Sequence, residues 1–206
     1  DLTIQITASH NPPIYNGFKV ITNKGAPAQE EDTAGIERLY DEEWQDIIRS
    51  VSNIRVTKPR LIDPSPQYID HVISDVLSMF KSRTRLRVLV DPLFGTSINY
   101  TGKILRELGM EVTEVHNNYD PDFGGRNPNP EPENIGDTIR DVTNAGYDMG
   151  VAHDCDADRI AAVDPTHGYL SPNNVITIVL EHLARMGIVK RGVARAVSTT
   201  HIVDLI

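Results

Sequence analysis

Three aspartates alternate with small residues in Asp154-Cys155-Asp156-Ala157-Asp158, followed at once by Arg159, and the apolar run Tyr147 to Ala152 precedes them. If the backbone there stays extended, residues two apart project to one face. Three carboxylates on one face repel each other, so a divalent cation is their natural partner. A calcium loop of the EF-hand type wants Gly at its sixth position and Glu at its twelfth. Counted from Asp154 those positions hold Arg159 and Pro165, which excludes it. A small set of hard oxygen ligands suits Mg2+, with water or phosphate completing the shell. The plainer alternative is a solvated acidic turn.

The second stretch is Thr7-Ala8-Ser9-His10-Asn11-Pro12-Pro13-Ile14-Tyr15-Asn16-Gly17-Phe18-Lys19. A strand-like run ends here and a polar loop follows, which is where α/β proteins place ligands. Ser9 is a candidate nucleophile or phosphate carrier, and His10 and Lys19 could move protons or stabilise charge. Asn-Pro and Asn-Gly are also ordinary turn dipeptides, so a surface turn competes with this reading.

Weaker signals surround these two. Asp91 to Ser97 follows a strand pattern and opens a helical one; it could cradle an anion, but a simple helix cap by Thr96 or Ser97 is the favoured reading. His116, His153 and His167 have no sequence partner that singles them out. Cys155 sits between two acids, which disfavours its thiolate. Trp44 falls on a helical apolar stripe and reads as packing.

The elements needed to hold these loops follow from hydrophobic periodicity. Strand patterns occur at Thr3 to Thr7, Phe18 to Thr22, Arg87 to Asp91, Glu111 to Val115, Tyr147 to Ala152, Ile160 to Asp164 and Ala194 to Thr199. Helical patterns cover Glu30 to Asp46, Ser65 to Phe80, Ser97 to Leu108, Glu131 to Ala145 and Pro172 to Met186. Strands alternating with helices predict α/β layers with parallel pairing. Proline-rich breaks at Ser52 to Pro66 and Pro165 to Pro172 suggest boundaries, and Asp120 to Pro132, with four prolines and two glycines, can be neither helix nor central strand.

Composition narrows the function classes. Among 206 residues, 29 acids oppose 20 Lys and Arg, a formal charge of -9 that argues against broad binding to a nucleic-acid backbone. The single cysteine allows no internal disulfide and fits a reducing compartment. No apolar run approaches the roughly 18 residues of a membrane span. Both ends read as interrupted elements, a strand pattern at Thr3 to Thr7 and the first turns of an amphipathic helix at His201 to Ile206, so a piece of a larger protein is expected.

Together the two loops resemble those of the α-D-phosphohexomutase family, which includes phosphoglucomutase and phosphomannomutase. Its phosphoserine loop has the form T-x-S-H-N-P, a short spacer, then N-G-x-K, and this chain reads TASHNPPIYNGFK. Its metal loop is D-G-D-A-D-R, and this chain reads DCDADR, with Cys155 in place of Gly. DPLFG (Asp91 to Gly95) and GGRNPNPEPEN (Gly124 to Asn134) resemble weaker landmarks of the family's second domain. A Gly serving a positive φ would make Cys155 a strained replacement, whereas a Gly serving only smallness would not.

The resemblance implies an α/β fold of mixed, mostly parallel sheets layered with helices, in repeated αβα domains. Residues 1–58 would be the end of domain 1, 59–166 domain 2, and 167–206 the start of domain 3. Ser9 would carry a phosphoryl group, and Asp154, Asp156, Asp158 and an oxygen of phospho-Ser9 would hold one Mg2+. Lys19 and Arg159 would stand beside the phosphate, Lys19 as general acid–base, with His10 and Asn11 shaping the loop. The implied activity moves phosphate between C1 and C6 of a hexose phosphate, glucose or mannose, through a sugar 1,6-bisphosphate in the cytoplasm, with no nucleic-acid or membrane partner. Glucosamine phosphate is an alternative substrate. A metal-dependent phosphatase with Asp154 as nucleophile, and a catalytically inert fragment, are the competing readings. The piece alone is expected to be inactive, because the family's sugar-recognition and distal phosphate loops lie in domains it lacks.

Overall fold

The computed structural model describes residues 2–51, 58–80 and 85–206. The chain forms two compact units, Asp1–Ala8 with Ile14–Pro64, and Ser9–Pro13 with Ser65–Ile206.

In the first unit the alternating runs become β1 (Thr3–Ile6) and β2 (Phe18–Ile21), an antiparallel pair with Thr3 opposite Ile21 and Ile6 opposite Phe18. Helix α1 (Glu30–Val51) opens on Glu30, Glu31 and Asp32, whose charges favour a helix N-terminus. It runs beyond the expected Asp46, and its apolar stripe of Ile36, Leu39, Tyr40, Trp44 and Ile48 remains exposed. The Trp44 ring centroid lies 4.6 Å from that of Tyr40 on the same helix.

The second unit is an α/β layer structure. Its elements are α2 (Ser65–Met79), β3 (Arg87–Asp91), α3 (Thr101–Glu107), β4 (Glu111–Glu114), α4 (Gly136–Asn144), β5 (Met149–His153), β6 (Ile160–Asp164), β7 (Gly168–Leu170) and α5 (Pro172–Arg185). The sheet order is β4-β3-β5-β6-β7. Pairing is parallel at β3–β4 and β3–β5 and antiparallel at β5–β6 and β6–β7. The sheet is therefore mixed, with parallel pairing confined to the strands joined through helices. The short β5–β6 and β6–β7 links can make only hairpins.

Strand β3 reads Arg-Val-Leu-Val-Asp, apolar on both sides as a doubly covered strand must be. Val88, Val90 and Val151 form one core layer with Leu105 of α3 and Met110. Leu89 faces the other way and packs with Ile135, Ala152, Ala161, Val163 and Val142 of α4. Gly150 lets α4 approach the sheet: a Cβ there would lie 2.6 Å from Val142 Cγ2 and 3.2 Å from Val163 Cβ.

Some element limits differ from expectation. Helix α3 starts at Thr101 with Tyr100 as its N-cap and no side-chain cap bond, so neither Thr96 nor Ser97 caps it. Ser97 is buried and instead offers its backbone carbonyl to the N–H groups of Tyr100 and Thr101. Helix α4 begins five residues after the expected Glu131, past the prolines of the 120–132 loop. Strand β7 is an addition. Ala194 to Thr199 pairs with none of the described strands, and the terminal segment makes a 3-10 turn, His201–Leu205, rather than an α-helix. Among the described residues no helix is long and apolar enough to cross a membrane.

Candidate functional site

Strand β5 delivers the acidic loop at its carboxyl end, and β6 takes the chain back with His153 opposite Ile160. Asp154, the first residue past β5, is fully buried. Its Oδ1 accepts the backbone N–H of Arg159 at 3.0 Å, which closes the loop. Its Oδ2 is buried and accepts no hydrogen bond among the described residues, with Arg159 Nε standing 3.9 Å away. One carboxylate oxygen each from Asp154, Asp156 and Asp158 lies within 4.8 Å of the other two.

Burial pushes the Asp154 carboxyl above the ordinary carboxylate range, and the charges of Asp156 and Asp158 push it further. A buried oxygen that accepts nothing, inside a cluster of like charges, costs free energy unless a cation joins it. The donor set is all carboxylate oxygen, which matches a hard divalent ion such as Mg2+.

The Gly-to-Cys departure carries no backbone strain. Cys155 is not among the positive-φ residues; the left-handed position in this loop is Ala157, at φ 59°. Burial first, and then the charges of Asp156 and Asp154, push the Cys155 thiol above its usual value, so it is no nucleophile.

Two distant segments hold this loop by its backbone. The Thr96 N–H donates to Cys155 O at 2.8 Å, and the Cys155 N–H donates to Pro128 O at 3.2 Å. The end of the DPLFG turn, at Gly95 and the following Thr96, and the NPNPEPEN segment, which the sequence marks only as weak landmarks, thus meet at the residue between Asp154 and Asp156. His153 adds a third support: its Nδ1 lies 3.2 Å from Arg159 O and its Nε2 3.1 Å from Thr101 Oγ1. Burial lowers the His153 pKa, which keeps the ring neutral.

Beneath the DPLFG turn lies a charged network that no sequence pattern indicates. Asp91, fully buried at the end of β3, accepts from Leu93 N at 2.9 Å and from Thr138 Oγ1 at 2.5 Å, and its Oδ1 lies 3.0 Å from His116 Nδ1. His116 Nε2 stands 3.4 Å from Asp137, which also pairs with Arg126. The Asp91 hydrogen bond raises the His116 pKa, against the opposing effect of burial.

Of the serine-loop residues, Ser9, His10 and Asn11 belong to the same compact unit as the three aspartates. Ser9 has φ 52°, a sparsely populated conformation for a residue with a side chain. Such outliers cluster at functional sites. His10 Nδ1 lies 3.4 Å from Ser9 Oγ. Lys19 is exposed on β2 of the first unit, opposite Gln5. Beside the acidic loop opens a cavity of about 330 Å³, lined in part by Asn129, Glu131, Asp158, Arg159 and Tyr169. That is within the size range of small-molecule sites.

Comparison with known proteins places these features in context. Residues 66–168 match the family described as phosphoglucomutase/phosphomannomutase, alpha/beta/alpha domain II, and residues 1–46 match its alpha/beta/alpha domain I. A probable phosphoglucosamine mutase of Methanobrevibacter smithii is 33% identical over 174 residues, 84% of this chain and 37% of that protein. A phosphopentomutase of Thermococcus kodakarensis is 34% identical over 183 residues, 86% of this chain and 38% of that protein. The crystal structure of a putative phosphomannomutase from Thermus thermophilus superposes with a TM-score of 0.73 at 28% identity, covering 92% of this chain and 42% of that one. The chain thus spans well under half the length of these relatives.

Proposed function

The chain belongs to the phosphoglucomutase/phosphomannomutase family, and on that premise we propose that it carries the phosphoryl-transfer centre of a Mg2+-dependent hexose-phosphate mutase. The observation that carries the reading is the converged triad of Asp154, Asp156 and Asp158 around a buried oxygen that accepts nothing, in one compact unit with the Ser9 loop. In domain terms, residues 1–58 complete domain 1, 59–166 form domain 2, and 167–206 begin domain 3.

Ser9 Oγ carries the phosphoryl group. A sugar hydroxyl attacks the phosphorus, the new P–O bond forms as the P–Oγ bond breaks, and the hydroxyl proton passes through Lys19 to the departing Ser9 Oγ. The product is a sugar 1,6-bisphosphate. After it reorients, Ser9 Oγ attacks the other phosphate as its P–O bond to the sugar breaks, and the serine proton passes back through Lys19 to the sugar oxygen released. Phosphate moves between C1 and C6 and nothing is consumed. Arg159, and Lys19 while it holds the proton, offset charge on the phosphoryl oxygens, and His10 and Asn11 shape the loop around Ser9. Asp154, Asp156, Asp158 and an oxygen of phospho-Ser9 would hold Mg2+, which would supply further charge neutralisation.

The relatives act by name on glucosamine, pentose, glucose and mannose phosphates, so the hexose is glucose or mannose phosphate with glucosamine phosphate equally supported. The acidic net charge and single cysteine fit a cytoplasmic metabolic enzyme without a nucleic-acid or membrane partner.

The test uses the full-length parent protein in coupled assays with glucose, mannose and glucosamine 1-phosphates, Mg2+ and a bisphosphate activator. Isomerisation of at least one sugar is expected, with Ser9→Ala reduced to background and the 206-residue piece inactive. Release of inorganic phosphate without isomerisation would favour the phosphatase reading, and unimpaired turnover by Ser9→Ala would overturn the assignment.

A further inference from the structure

We infer that the Asp91–Ser97 turn is a buttress that sets the acidic loop in its cation-binding shape before any cation arrives, with Gly95 as the positioning residue. The inference rests on the metal reading above. Its first support is a close approach. A Cβ on Gly95 would lie 2.6 Å from Cys155 O, 2.8 Å from Cys155 Cα and 3.0 Å from Cys155 C. All three atoms are backbone, so no side-chain rotation could relieve the overlap; the loop itself would have to move.

Its second support is the clamp on Cys155. The next residue of the turn, Thr96, donates to Cys155 O at 2.8 Å, while Cys155 N donates the other way to Pro128 O at 3.2 Å. The peptide groups between Asp154 and Asp156 are thereby fixed from both sides.

The turn is rigid enough to bear on its neighbour. Leu93 and Phe94 both occupy the left-handed region, at φ 47° and 59°, which side-chain-bearing residues adopt only when their surroundings over-determine them. Here Leu93 N donates to Asp91 Oδ1 at 2.9 Å, Phe94 N to His116 O at 2.9 Å, and Gly95 N to Pro92 O at 2.9 Å. Parallel pairing of β3 with β5, with Asp91 beside Ala152, brings turn and acidic loop out side by side. A loop already folded around three like charges binds a cation without first ordering itself, which raises affinity.

Gly95 does not itself adopt a positive φ, so Gly95→Ala tests the close approach alone. Groups that orient metal ligands from outside the coordination shell are typically worth about 10–100-fold in metal affinity. Isothermal titration of the 206-residue chain with MgCl2 is therefore expected to show Gly95→Ala binding at least about tenfold more weakly than wild type, beside the lowered midpoint of unfolding that overlap with backbone atoms brings to the metal-free protein. A purely structural role would lower the midpoint and leave the Mg2+ affinity of the folded protein at the wild-type value. Gly136→Ala, where a Cβ meets nothing within 4 Å, serves as the control and should match wild type. Wild-type affinity in Gly95→Ala overturns the inference.

Amide hydrogen exchange on the wild-type chain decides the matter even if that variant fails to fold. The Thr96 and Cys155 amides should exchange slowly without Mg2+, and fast exchange that slows only when Mg2+ is added would contradict a preformed loop. If wild type binds no Mg2+, the metal reading fails, while slow exchange at Thr96 still supports the buttress.

Discussion

Replacing Asp154 with Asn should make the metal-free protein more stable at neutral pH and abolish its response to Mg2+. Asp154 is buried, and its folded carboxyl titrates above the ordinary carboxylate range, chiefly through burial. The native state therefore holds this proton more tightly than the unfolded chain does. Between the ordinary value and the raised one, stability falls as pH rises. Asn keeps the shape and retains an oxygen for the Arg159 N–H, but removes the charge, so the variant should lack this slope. In the wild type Mg2+ should reverse the penalty. At 100 times the dissociation constant a ligand adds about 2.7 kcal/mol, or roughly 5–10 °C in Tm for a unit of this size. Loss of even an outer-shell partner typically costs about 10–100-fold in metal affinity, so Asp154→Asn, which removes a direct ligand charge, should lose at least that much and show no such shift. Thermal unfolding of both proteins with and without MgCl2, across the acid-to-neutral range, measures all of this. A destabilised metal-free variant, or one still stabilised by Mg2+, would remove the triad from the account.

The second large effect is expected from Asp91→Ala. Asp91 is fully buried and joins Leu93 N, His116 Nδ1 and Thr138 Oγ1 at 2.5–3.0 Å. The alanine strands all three partners, and breaking a buried charged pair in this way costs about 3–5 kcal/mol. For the second unit that corresponds to a fall in Tm of roughly 10 °C. The same variant should lower the His116 pKa, because the Asp91 hydrogen bond is the main reason it is raised. In wild type the protonated His116 contributes stability that is fully present below the ordinary histidine pKa and is lost as pH rises through the raised folded value. Urea unfolding gives the stability change, and an NMR titration of the His116 ring gives the pKa. A loss under about 1 kcal/mol would mean that Asp91 is dispensable to the turn.

The features legible in the sequence are those whose cause is local. The DCDADR run keeps three carboxylates close in sequence, which makes the cluster legible, but they converge through a turn, with Ala157 at φ 59° and its N–H on Asp154 O, and not through the extended period-two projection that the spacing suggests. The apolar runs of β3 and β5 are likewise legible, since a strand covered on both faces has no polar positions to alternate. The illegible features depend on contacts distant in sequence. Thr96, Pro128 and Cys155 meet only through backbone atoms, which leave no residue-type signature. His116 and Asp91 are 25 residues apart, and neither residue signals the other. The helical pattern from Ser97 overstates α3, because Asn99 takes a left-handed conformation, φ 66°, that delays the helix to Thr101. Ala194 to Thr199 has a strand-like composition, but a strand exists only where a neighbour satisfies its backbone groups, and none of the described strands does so. Cys155 shows the converse: the left-handed conformation that would have strained it falls on Ala157 instead.

The most direct test of a phosphoryl-transfer centre is to find where the phosphate rests. The parent protein, incubated with Mg2+ and a sugar 1,6-bisphosphate and then digested, should yield one phosphorylated peptide, with the phosphate mapped by mass spectrometry to Ser9. Phosphate on Asp154, or an unmodified Ser9 in an enzyme that still turns over, would contradict the account.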